Sequence, residues 1–260
     1  MAARLALVGG SSSGIGKAIA AGLLGDGVRV VLTARMGERL DRTCAELSAT
    51  FGANLVTSIG ADFALRDSIQ QLIQEVQTKV GAPDILVLNG GGPRAGIFAD
   101  LKLADWDVAY DQQLRSHLAL LQAFLPRMRE RNWGRVINVS STQVIEPGEG
   151  MVLSAAWRAA LVNTLKALAR SEAPFGITLN TVCPGAVSTD RLLSLLAGKK
   201  ENQGKSNEEL LKIAAGNIPI GRVASSEEFA NVAVFLASQA AAYVTGTVIP
   251  VDGGLVRRGL

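Results

Sequence analysis

A chain of 260 residues, 48% of them hydrophobic and 19% charged, is long enough to bury a sizeable core in one domain. Its 26 basic and 23 acidic residues are interspersed and leave a net charge of only +3, which argues against a nucleic-acid surface. Two distant cysteines, Cys44 and Cys183, and a single histidine, His117, exclude a disulfide framework and make a zinc or other metal site unsupported.

The first apolar run, Leu5, Ala6, Leu7 and Val8, has strand length and meets glycines too soon for a signal h-region. No apolar stretch reaches spanning length either, so a cytoplasmic protein without a membrane partner is expected. From Ile15 the apolar positions recur with helical period. Between strand and helix lie Gly9, Gly10, Gly14 and Gly16 around Ser11, Ser12 and Ser13. Glycines let a backbone approach a ligand, and a helix start attracts a phosphate. A flexible turn would carry the same glycines, but its place between strand and helix favours the anion site.

The spacing is Gly10, Gly14, Gly16, not the common G-x-G-x-x-G. It resembles the short-chain dehydrogenase/reductase family, whose signature is T-G-x-x-x-G-x-G, with Gly9 standing where that family prefers Thr. The resemblance implies an α/β fold: a single Rossmann domain over residues 1–260, doubly wound, with a parallel sheet of about seven strands and helices on both faces. It assigns Gly10, Ser12, Ser13, Gly14, Ile15 and Gly16 to the cofactor.

The second strand, VRVVLTAR, ends at Arg35, where an acid would hold the ribose hydroxyls of NAD. A guanidinium there can bind a 2′-phosphate, so NADP is expected over NAD, the alternative being a solvated surface charge. The third strand, NLVTSIGAD, leads to Asp62 and Phe63. By resemblance they lie at the adenine; otherwise Asp62 caps the next helix. The fourth, PDILVLNGGG, is apolar as a strand buried on both faces should be. It ends in Asn89, Gly90 and Gly91, expected to brace the sheet and admit the cofactor ribose.

A helix over about residues 105–131, interrupted by Pro126, carries His117 as a helix-face or interface residue. In the family an asparagine in this helix supports the catalytic lysine; counting from Trp106 gives Gln113 here. Both cysteines are expected as buried thiols.

The fifth strand, GRVINVSS, delivers Ser141 to the position of the family's catalytic serine. The family's tyrosine and lysine, one helical turn apart, fall on Ser154 and Arg158. The only tyrosines, Tyr110 and Tyr243, lie in other predicted elements. With a pKa above about 12, Arg158 is no proton donor, but it can present fixed charge to a developing oxyanion. Two readings stay open. One is a reductase with Ser141, Ser154 and Arg158 as a rebuilt polar triad; the other is a nucleotide-binding homologue that has lost hydride transfer and acts in cofactor-responsive binding or assembly.

The sixth strand, ITLNTVCPG, ends at Pro184 and Gly185, and with Val187 and Thr189 it is similar to the family's P-G-x-x-x-T segment, which holds the nicotinamide carboxamide. Thr189 can also cap the helix after it. Residues 190–217 are expected as a substrate lid or a solvated surface helix. The resemblance further implies an NADP(H)-dependent interconversion of a carbonyl and an alcohol on a small-molecule substrate, 3-oxoacyl thioester reductase-like, in a homo-oligomer, a tetramer or dimer. Gln143, Glu146 and Trp157 are expected around the substrate.

Overall fold

The computed structural model describes residues 3–257. Seven parallel strands form one sheet: β1 (Leu5–Gly9), β2 (Arg29–Ala34), β3 (Val56–Gly60), β4 (Ile85–Leu88), β5 (Gly134–Val139), β6 (Ile177–Pro184) and β7 (Val248–Val251). Their order is β3-β2-β1-β4-β5-β6-β7, so the chain reverses direction across the sheet between β1 and β4. Ligands of doubly wound sheets lie outside the strands' carboxyl ends at that reversal.

Side chains alternate along a strand, and β1 shows what this does. Ala6 and Val8 enter one apolar layer with the helices α1 (Gly14–Gly25), α2 (Glu38–Phe51) and α9 (Ser226–Ala237). Leu5 and Leu7 enter the opposite layer with α3 (Arg66–Glu75), α5 (Ser116–Glu130) and α6 (Val152–Glu172). Covered on both faces, the strand is buried at every position, which is why it reads as a continuous apolar run.

The segment expected as one helix is three pieces: α4 (Leu103–Tyr110), a π turn at Asp111–Arg115, and α5. The wide turn inserts a residue into the helical repeat and aims Gln113 inward, 1% exposed. Pro126 lies inside α5 and does not interrupt it. His117 sits on the buried side of α5, 2% exposed, its ring 5.8 Å from that of Phe63. Cys183 is buried as expected, whereas Cys44 is only partly so.

After α7 (Asp190–Ala197), residues 198–217 contain a helix of their own, α8 (Asn207–Ala215). Ser206 and Glu209 close its start as a capping box, and Leu210 anchors it at 2% exposure. No helix among the described residues is long and apolar enough to cross a membrane.

Candidate active site

A groove follows the carboxyl ends of the strands and has two lobes, about 270 and 960 Å³. The loop between β1 and α1 separates the groove from the core. Gly10 has φ +56°, and a Cβ on Gly16 would lie 2.3 Å from the Gly10 carbonyl oxygen, so both positions demand glycine. Ser11 turns inward, its Oγ accepting the Thr33 N–H at 2.8 Å and tying the loop to β2. Among the described residues no side chain caps α1, so its positive end is left for an anion. Asn89 ties the end of β4 to β1, Nδ2 donating at 3.0 Å to the carbonyl of Gly9, the last residue of β1.

The wide lobe is lined by Ser12, Arg35, Asp62, Phe63, Gly90 and Gly91, among others. Arg35 is exposed one residue beyond β2. Asp62 does not cap α3, whose N-cap is Leu65; its Oδ1 accepts the Ala64 N–H at 2.9 Å. Arg39, which sequence reasoning passed over, also lines this lobe and pairs with Asp190 at 3.1 Å. Its position four residues after Arg35 was the available signal.

The narrow lobe gathers Gly14, Ile15, Gly16, Ser141, Ser154, Arg158, Pro184, Gly185 and Thr189. Ser141 lies two residues past β5, its Oγ accepting the Gln143 N–H at 3.2 Å and keeping its own proton free for a ligand. Ser154 and Arg158 sit one turn apart on the inner face of α6. The Arg158 guanidinium is pinned: Nη1 donates to the carbonyls of Val139 (2.6 Å) and Ser140 (3.2 Å), and Nη2 to that of Gly91 (2.8 Å). Gln113 Nε2 donates to the same Gly91 carbonyl at 2.9 Å. Burial lowers the Arg158 pKa to about 10, so it stays charged at neutral pH. Burial pushes the neighbouring Cys183 thiol up to about 11, so it stays neutral.

Thr189 caps α7, Oγ1 accepting the Leu192 N–H at 3.2 Å, and still lines the lobe. Val187 lines neither lobe; it is buried and bridges to Ala224. The residues expected around the substrate line neither lobe. Gln143 Oε1 accepts the Gly148 N–H, Glu146 accepts the Arg257 N–H at 3.2 Å, and Trp157 packs edge-on against Trp106 and Tyr110. Met151 and Leu195 take that wall. Neither Tyr110 nor Tyr243 lines a lobe, and the described residues contain no metal-binding cluster.

A family model described as enoyl-(acyl carrier protein) reductase matches residues 10–256. The chain belongs to the short-chain dehydrogenase/reductase family. It is thereby an NAD(P)-dependent oxidoreductase, and the groove fits a dinucleotide: a glycine cradle at an uncapped helix start, with cations and hydroxyls at its two ends. Among other members of the family, the 3-oxoacyl-(acyl-carrier-protein) reductase of Aquifex aeolicus is 34% identical over 254 residues, 97% of each chain. The crystal structure of L-sorbose reductase from Gluconobacter frateurii, complexed with NADPH and L-sorbose, is similar with a TM-score of 0.93 at 30% identity, covering 99% of this chain and 98% of that one. An NADPH-bound short chain oxidoreductase from Pseudomonas aeruginosa PAO1, described as containing an atypical catalytic center, is similar with a TM-score of 0.87 at 29% identity over 98% of both chains.

Proposed function

We propose that the protein is an NADP(H)-dependent reductase that interconverts a carbonyl and an alcohol on a small molecule, 3-oxoacyl thioester reductase-like, without a tyrosine acid. The observation that carries this is the convergence of the Ser141 and Ser154 hydroxyls on a lobe that holds the buried Arg158 cation. The choice of NADP rests on Arg35, which lines the wide lobe at the end of β2 where a carboxylate would repel a 2′-phosphate. The relatives described as NADPH-bound support the same choice.

A bound nicotinamide cofactor would supply the hydride; the chain supplies the polar end of the reaction. Ser141 orients the substrate carbonyl oxygen by donating a hydrogen bond to it and keeps its own proton throughout. Arg158, held in place by three backbone carbonyls, acts through fixed charge that favours the developing alkoxide. Ser154 passes its proton to that oxygen and recovers one from solvent. Donor and product are both aliphatic alcohols, so the transfer runs nearly level in energy.

The exposed apolar side chains Phe98, Leu103 and Val108 around α4 support assembly into a homo-oligomer, a dimer or tetramer. The experiment is NADPH oxidation by the purified protein against ketones, diketones, quinones and 3-oxoacyl thioesters, with NADPH binding measured in the same samples. Turnover is expected to fall about 100-fold or more in Ser154→Ala and Ser141→Ala while binding persists. Binding without turnover across the panel contradicts the proposal.

A further inference from the structure

Arg191 is the second residue of α7, and its side chain reaches over the groove to the segment that follows β4. Nη2 donates to the Pro93 carbonyl at 2.6 Å. Beneath it lies Gly92, where a Cβ would stand 2.8 Å from Arg191 Nε. Any larger residue there would push the guanidinium off its seat. A guanidinium carries five N–H donors, and Pro93 engages one group of them.

No carboxylate balances this charge. The adjacent Asp190 turns away to Arg39, and among the described residues no acid lies within ion-pairing distance of Arg191. Desolvation holds the Arg191 pKa below the ordinary arginine value with no acid raising it. A partly desolvated cation without a partner is unfavourable until an anion arrives.

Its position says which anion. Gly10, Ser13, Gly91, Gly92, Asp190 and Arg191 line both lobes and form the waist between them. Arg191 is the cation of that set. A dinucleotide with its adenosine end near Arg35 and its nicotinamide end near Ser141 must thread its pyrophosphate through this waist.

Resting on the dinucleotide reading above, we propose that Arg191 is a pyrophosphate clamp, gripping the bridging phosphates from the side opposite the glycine loop. A substrate carboxylate or phosphate in the narrow lobe offers the same chemistry, and the test separates the two. NADPH is titrated by fluorescence onto the wild type, Arg191→Met and Arg191→Lys. Adenosine 2′-monophosphate, which has the 2′-phosphate but no pyrophosphate, is titrated by calorimetry onto the same proteins.

The clamp predicts an NADPH Kd raised about 10- to 100-fold in Arg191→Met, an intermediate value in Arg191→Lys, and an unchanged Kd for adenosine 2′-monophosphate. Equal NADPH affinity in wild type and Arg191→Met overturns it; a raised substrate KM in that case assigns Arg191 to an anionic substrate. Equal weakening of both ligands also overturns it, because the whole wide lobe would then have changed. A wild type that binds neither NADPH nor NADH removes the dinucleotide reading itself.

Discussion

The proposed role of Arg35 in choosing NADP rests on what surrounds it. It lies beyond β2 in a lobe lined also by Arg39, whose partner Asp190 is itself exposed and free to be displaced. A 2′-phosphate bound there would meet both guanidinium groups, with Glu38 the acid beside them in the same lobe. Arg35→Ala is therefore expected to raise the Kd for NADPH about tenfold or more while leaving that for NADH within about twofold, measured by fluorescence titration. Equal losses for both cofactors would remove the 2′-phosphate role. The place of Arg35 on the groove was legible because strand ends border ligand grooves in this fold. Arg39 and Arg191 were not, because a cation in the first turn of a helix looks like any solvated surface charge until the fold brings it across a groove.

At the scale of the element, the π turn between α4 and α5 does most to shape the site. One extra residue there turns Gln113 toward Gly91 and sets His117 against Phe63 and Gly90. An insertion of that kind leaves the apolar periodicity almost unbroken, so the sequence reads as a single helix. Met151 and Leu195 escaped for a related reason: an apolar residue on a helix reads as core whether it faces a helix or a substrate.

His117 makes the buried segment titrate. Among the described residues its one partner is the Gln113 carbonyl, 2.9 Å from Nδ1, so Nδ1 carries the proton of a neutral ring. Burial lowers its pKa to about 4. Between that value and an unfolded pKa near 6.5 the unfolded chain binds a proton that the folded chain does not, so stability rises with pH through this window and is lost on acidification. This single group is expected to remove about 2 kcal/mol between pH 7 and pH 5. Urea denaturation of the wild type and His117→Leu at both pH values checks it: the variant should lose measurably less stability on acidification.

Over the whole molecule, two apolar layers hold seven strand ends in register, and the site's groups lie just beyond that edge or on the helices α2, α6 and α7 beside it. The sheet was legible because strands buried on both faces are apolar at each position, as in β1 and β4. The cofactor half of the groove was legible because glycine-rich turns follow β1 and β4. The reaction end was harder to read, since the sequence gives Arg158 no partner, while the fold fastens it between the ends of β4 and β5. That fastening takes three of its donor contacts and leaves the Nε–H without a partner among the described residues.

The claim that a pinned cation and two serine hydroxyls replace a tyrosine acid is tested most directly by comparing wild type and Arg158→Met. On any carbonyl that the wild type reduces, kcat and the NADPH dissociation constant are measured in parallel. The account predicts a kcat lower by about 100-fold or more, with the dissociation constant within about twofold. An unchanged kcat, or a kcat that falls only in step with lost NADPH binding, would contradict it.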